Sequence, residues 1–246
     1  MATDGVTLSR LSGRWWIYQL ADGHRYATDD VLVAWAGTRA RPEAATVLDL
    51  GAGVGSVGLM ALLILPAESR LVSVEVQAAS AALARRTLRH NALDRRWEIR
   101  EGDLRDPAVL GPGERFDLVL ANPPFLPVSA GFLPHHPQKA AARFELHGDV
   151  FDYCRTAAAH LAPDGRFCFC HAARDPRPER AVEAAGLALI QRRDVVFREG
   201  RGAHLALYTC AREGPRRDAP PLTVRDRTGR RTPEYLEVLR AMRIVA

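Results

Sequence analysis

Val47-Leu48-Asp49-Leu50-Gly51-Ala52-Gly53-Val54-Gly55-Ser56-Val57-Gly58 decides how this chain folds. An apolar run enters, glycines follow at alternate positions, and Ser56-Val57-Gly58-Leu59-Met60-Ala61-Leu62-Leu63 continues as a helix. The run predicts a buried strand. The glycines predict a tight turn that a ligand can approach closely, with the unpaired N–H groups of the helix start facing it. A strand, turn and helix of this kind fit NAD, FAD, S-adenosylmethionine or no ligand at all.

Outward from this stretch the pattern alternates. Strands are expected at residues 46–50, 70–75, 97–101, 116–121 and 166–172, and helices at 78–91, 139–143, 149–161 and 178–185. Alternation of this kind predicts a parallel sheet with crossover helices. Residues 187–198 and 204–210 read as two closing strands around a glycine-rich turn, which makes one strand run backwards. The expected architecture is α/β: a three-layer, doubly wound, seven-stranded Rossmann-like sheet with one antiparallel strand. That unit is assigned to residues 41–212. Residues 1–40 form a preamble: a strand at 14–20, a turn at 21–24, a return at 25–27, then a helix capped by Thr28 and closed by Gly37. Residues 213–246 form a short C-terminal appendage, with a strand at 222–224 and a helix at 233–242.

Composition limits the function classes. With 47% hydrophobic and 26% charged residues, the 246-residue chain has the make-up of a soluble globular protein, not a disordered or fibrous one. Its longest apolar run, residues 59–66, is too short to span a bilayer, so no membrane partner is expected. Residues 1–5 lack the basic and apolar pattern of a leader peptide, and four scattered cysteines suit a reduced, cytoplasmic setting. The net charge is +5, and Lys139 is the only lysine. Arginine forks match phosphate geometry, which points to a nucleic-acid partner, while arginine-rich composition by itself gives the same count.

Ligands of an open parallel sheet bind beyond the carboxyl ends of its strands. Those ends carry Asp49, Glu75, Asp103 and Asn122. Glu75 follows the glycine turn by about twenty residues, where an acid can take two ribose hydroxyls. Asp103 is placed to accept from an adenine amino group. Asp29 fits either a helix-dipole partner or a cofactor-side ligand. In Asn122-Pro123-Pro124-Phe125 the two prolines fix φ and keep the backbone extended with its carbonyls available. The asparagine amide offers an acceptor and two donors, and the phenylalanine a flat face. That set suits methylation of a planar nitrogen.

These residues resemble the class I S-adenosylmethionine-dependent methyltransferases of the small-domain branch that carries Asn-Pro-Pro-Tyr/Phe. Within it, the chain is most similar to bacterial tRNA adenine-N6 methyltransferases. Thr28-Asp29-Asp30-Val31-Leu32 matches their Thr-Asp-x-x-Leu preamble, Ala142-Arg143-Phe144-Glu145 the Ala-Arg-x-Glu after the catalytic motif, and Thr232-Pro233-Glu234-Tyr235 the closing Thr-x-Glu-Tyr. The resemblance implies that Asp49, Gly51, Ala52, Gly53, Glu75, Asp103, Leu104, Asn122 and Asp29 contact S-adenosylmethionine. It also implies that Asn122, Pro123, Pro124 and Phe125 hold the target nitrogen of a tRNA. Phe125 replaces the commoner tyrosine, and the proline-rich loop 126–138 carries few basic residues. Two alternatives remain open: methylation of a glutamine side chain in a release factor, and a non-catalytic binding protein that keeps the fold.

Other residues carry less. Cys168 and Cys170 share one strand face and read as core. His135, His136 and His171 show no metal-ligand spacing, so no metal is expected. Arg192, Arg193, Arg198, Arg201 and the arginines of 225–231 suit either phosphates or a solvated surface.

Overall fold

The computed structural model describes residues 5–244, so most of the 1–5 segment lies outside the described residues. In chain order its elements are β1 (Val6–Ser12), β2 (Trp15–Leu20), α1 (Thr28–Ala40), β3 (Thr46–Leu50), α2 (Ser56–Ile64), β4 (Arg70–Glu75), α3 (Ala78–His90), β5 (Trp97–Glu101) and β6 (Phe116–Ala121). Then follow α4 (Pro137–Arg143), α5 (Val150–His160), β7 (Leu161–Ala172), α6 (Arg177–Ala184), β8 (Ala188–Val196), β9 (Leu205–Ala211), β10 (Leu222–Thr223) and α7 (Pro233–Ala241).

The main sheet has the order β10-β8-β9-β7-β6-β3-β4-β5, and β9 alone runs against its neighbours. It is the expected doubly wound sheet with one reversed strand, but it has eight strands instead of seven. The extra strand, β10, comes from the segment read as an appendage: Leu222 and Thr223 pair in parallel with Val195 and Val196. Side-chain alternation explains the layers. In β3, Val47 enters the core beneath α1 and α2, while Leu48 and Leu50 enter the opposite core against Val150, Tyr153 and Ala157 of α5. β3 pairs with β4 on one side and β6 on the other, so the strand order reverses there. Ligand sites of such sheets form at that crevice.

The N-terminal segment departs from expectation. The hairpin partner of β2 precedes it: β1 turns at Gly13-Arg14, and Val6 pairs with Leu20. Residues 25–27 form no return strand because side chains take their donors. Tyr26 N–H donates to Gln19 Oε1 (2.9 Å) and Ala27 N–H to Asp30 Oδ2 (2.8 Å). Among the described residues, no further strand of its sheet lies beyond β2. There Tyr18 N–H donates to Thr87 Oγ1 (3.0 Å) and Trp16 N–H to Asn91 Oδ1 (2.9 Å), one turn apart at the end of α3.

Helix α1 differs at both ends. Ala27, not Thr28, is its N-cap, with Asp30 supplying the carboxylate. Gly37, expected to close it, lies inside it. A Cβ there would overlap a methyl of Leu120 on β6, so glycine is what lets the helix lie close on the sheet. Gly37→Val is expected to cost about 1–3 kcal/mol, the usual penalty of overpacking, on urea denaturation; unchanged stability would show that the contact relaxes freely.

Candidate active site

The glycine turn is built by its surroundings. Gly51 (φ +64°) has no room for a side chain, because a Cβ would overlap the Tyr153 hydroxyl from α5. Gly53 (φ +57°) is the converse: a Cβ there meets nothing within 4 Å, so the backbone is open to the cavity. Two carboxylates fix the turn from below. Asp49 Oδ2 accepts from Gly58 N–H (2.9 Å), and Glu75 accepts from Gly53 N–H (2.7 Å) and Gln77 N–H (2.8 Å). These bonds tie the end of β3, the start of α2 and the end of β4 into one rim.

Across the cavity, β6 ends in Asn122-Pro123-Pro124-Phe125. Asn122 Nδ2 donates to Asp29 Oδ2 (3.0 Å) and Asp30 Oδ1 (3.4 Å). Asn122 Oδ1 accepts from the Cys170 thiol (2.9 Å) on β7. The contacts fix the amide orientation: the carboxyl oxygens of Asp29 and Asp30 accept and the Cys170 thiol donates, so nitrogen faces α1 and oxygen faces β7. Ser56 Oγ donates to Asp30 Oδ1 (3.1 Å), which links this clamp to the first residue of α2. Behind the motif, the Phe125 ring meets the buried His171 ring edge-on at 5.8 Å. Burial holds His171 down to about 4, so this ring is neutral near pH 7.

The two rims enclose a cavity of about 410 Å³. Gln138 of α4 covers part of it, accepting from His24 N–H (2.8 Å) and donating to Ser80 Oγ (3.1 Å). Four carboxyl groups line it: Asp29, Asp30, Asp49 and Glu75. Burial pushes Asp49 up to about 8 and Asp30 up to about 7, the latter helped by the charge of Asp29, and burial also raises Glu75. A ligand that carries positive charge would favour their ionised forms.

These shifts fix the sign of a pH effect. Folded Asp49 keeps its proton to about pH 8, whereas the unfolded carboxyl releases it near the ordinary 3.8. Its contribution to stability is therefore full below that lower value and is lost as pH rises through the folded one. Asp49→Asn keeps an oxygen for Gly58 N–H and does not titrate. Between about pH 5 and 8, the stability of wild type relative to this variant should fall with pH, by at most about 1.4 kcal/mol per unit. Denaturant unfolding of both proteins at several pH values tests this; parallel profiles would refute it.

Most of the residues expected from the sequence converge. Asp29, Asp49, Gly51, Ala52, Gly53, Glu75, Leu104, Asn122, Pro123, Pro124 and Phe125 all line the cavity. Asp103 does not. Its carboxylate accepts from Arg105, at the backbone N–H (2.9 Å) and at Nε (2.9 Å), and forms an ion pair with that arginine outside the cavity lining. That pairing holds its pKa below the ordinary carboxylate value. Sequence reasoning passed over Asp30, Ser56, Gln138 and Tyr153, and read Cys170 as core alone. It is fully buried, as expected, and also holds the catalytic-motif amide.

A family profile described as "Methyltransferase small domain" matches residues 31–176, spanning the glycine turn and the Asn-Pro-Pro-Phe motif. The chain belongs to the small-domain methyltransferases. It is an enzyme of the S-adenosylmethionine-dependent N-methyltransferase type. It is 25% identical over 217 residues to a tRNA1(Val) (adenine(37)-N6)-methyltransferase of Actinobacillus succinogenes, covering 88% of this chain and 89% of the relative. It is 37% identical over 177 residues to a release factor glutamine methyltransferase of Geobacter sulfurreducens, covering 60% of each chain. A solved structure from Agrobacterium tumefaciens, a predicted O-methyltransferase, superposes with a TM-score of 0.63 at 24% identity, covering 89% of this chain and 98% of that one, and supports the fold. Among the described residues, no helix of this small-domain methyltransferase is long and apolar enough to cross a membrane. Among the same described residues, no group of three or more His, Cys, Asp or Glu side chains is placed to hold a metal ion.

Proposed function

We propose that the chain methylates the exocyclic N6 amino group of an adenine in tRNA, in the cytoplasm. The observation that carries this reading is the oriented Asn122 amide beside the rigid Pro123-Pro124 backbone and the Phe125 ring, in the same cavity as the glycine turn. In this reading Gly51, Ala52 and Gly53 give the cofactor close backbone approach, Glu75 takes its ribose hydroxyls, and Leu104 offers apolar surface to its base. The open space over Gly53 and the acidic lining fit a bulky, positively charged ligand. S-adenosylmethionine supplies an electrophilic sulfonium methyl.

The protein's own work is positional. Phe125 holds a planar acceptor by stacking. Asn122 Oδ1, with its second lone pair, and the carbonyls of the motif accept the two amino hydrogens. The nitrogen lone pair then turns out of the ring plane toward the methyl donor. Asp29 and Asp30 keep the amide from flipping, so that an acceptor and not a donor meets the substrate amine. Such positioning needs no covalent intermediate.

A second reading rests on the release-factor relative: the planar group would be a glutamine amide. Incubation with S-adenosylmethionine labelled in its methyl group, total tRNA and release factors separates the two. N6-methyladenine in tRNA digests by mass spectrometry is the expected result, and label found only in protein would overturn it.

A further inference from the structure

A second concavity, of about 390 Å³, lies away from the cavity described above, between the far half of α1 and strands β7, β8 and β9. Arg39, Arg166, Arg193 and Arg217 line it together with Trp35 and Gln191, and none of its lining residues is acidic. Several arginines elsewhere are neutralised at home: Arg100 by Glu98 and Glu114, Arg177 by Asp175 and Glu145, and Arg216 by Glu179 and Asp218. In the groove, Arg193 reaches Glu234 at 3.5 Å, and among the described residues Arg39, Arg166 and Arg217 have no carboxylate partner.

The groove is also pre-arranged. The guanidinium carbons of Arg39 and Arg193 each stand 5.4 Å from the centroid of the half-buried Trp35 ring, so cation–π attraction holds both forks over the groove. Arg166 donates to the carbonyls of Asp164 (3.0 Å) and Gly165 (2.9 Å), which anchors a third. Several fixed forks without counter-ions match the spaced phosphates of a polynucleotide. The same helix joins groove and active site: Trp35 and Arg39 follow Asp29 by six and ten residues, roughly 9–15 Å along the axis. A strand whose base enters the methyl-transfer cavity can therefore lay neighbouring phosphates in the groove.

We infer that this groove binds the sugar–phosphate backbone of the RNA substrate at a distance from the methyl-transfer cavity, an inference that rests on the RNA reading above. Arg39 and Arg217 are exposed, so the double variant Arg39→Gln/Arg217→Gln should fold, which its melting temperature and unchanged S-adenosylmethionine affinity by calorimetry would verify. The test measures fluorescence anisotropy of labelled tRNA between about 50 and 200 mM salt, with methyl transfer recorded in parallel. The expected result is at least about tenfold weaker RNA binding and a salt slope reduced by roughly 1.5, corresponding to two lost phosphate contacts, with Arg39→Lys closer to wild type.

RNA binding and slope equal to wild type would overturn the groove. So would a wild-type protein with no RNA affinity, or a double variant that keeps RNA binding but loses binding of labelled polyglutamate, an acidic polypeptide titrated in the same way. Wild-type binding that depends on the groove, with methyl label appearing only in protein, would sink the adenine reading and leave the groove standing.

Discussion

Asn122→Ala is expected to lower turnover by about 10²–10³-fold, the usual cost of deleting one positioned hydrogen-bonding group at a reacting centre. Affinity for S-adenosylmethionine should move by less than about threefold. The split follows from the contacts. Asn122 touches α1 through Asp29 and Asp30 and β7 through Cys170, and none of its bonds reaches the Gly51–Gly53 turn or Glu75. The variant removes the amide that selects an acceptor for the substrate amine, and leaves the opposite rim as it is. Single-turnover transfer and calorimetric binding, measured on the same preparation, read the two sides separately. Turnover within threefold of wild type would remove Asn122 from the reaction, whereas a parallel collapse of cofactor binding would make it structural. Asn122→Asp is a useful companion. It sets a third carboxyl beside Asp29 and Asp30, in a place where burial already raises Asp30, and should be no more active than alanine.

How far the sequence reaches depends on what decides each element. Strands β3, β4, β5 and β6 form at their expected residues because each carries its own apolar run and its own punctuation. Their ends then place Asp49, Glu75 and Asn122 together, since a parallel sheet aligns its carboxyl ends. The N-terminal hairpin was not legible in this way. Both Gly13-Arg14 and the 21–24 segment carry turn residues, and the choice between them was made by distant side chains: Gln19 capturing Tyr26, and Gln138 capturing His24. Gly37 reads as a stop, yet the contact that explains it belongs to Leu120, more than eighty residues on. Asp103 sits at the expected strand end, and Arg105, two residues later, pairs with its carboxylate. That ion pair is local enough to have been a signal. The Cys170 bond was out of reach, because a buried thiol looks the same in sequence whether or not an amide stands before it.

Glu75 is the residue on which cofactor affinity should turn most steeply. Its carboxylate already serves the protein, accepting from Gly53 N–H and Gln77 N–H, and so its rotamer is fixed before any ligand arrives. A fixed acceptor gains more from a diol than a mobile one, since little side-chain freedom is left to lose. Charge-assisted hydrogen bonds contribute about 1.5–3 kcal/mol each, so Glu75→Ala should weaken S-adenosylmethionine binding by about 10²-fold or more. Part of that loss comes from the turn, because Gly53 N–H is left without its partner. Glu75→Gln separates the two contributions. The amide oxygen can still receive Gly53 N–H, so the turn survives, while the charge and one acceptor are gone. Its affinity should fall by about tenfold, with a melting temperature close to that of wild type. Burial raises the carboxyl of Glu75, so wild-type affinity should also fall as the solution is acidified and the group is protonated, and the glutamine variant should lack that dependence. Calorimetric titrations of the three proteins across the acid range give both readouts at once. Equal affinities for wild type and Glu75→Gln, with the same pH profile, would remove Glu75 from the ribose and leave it as a brace for the glycine turn.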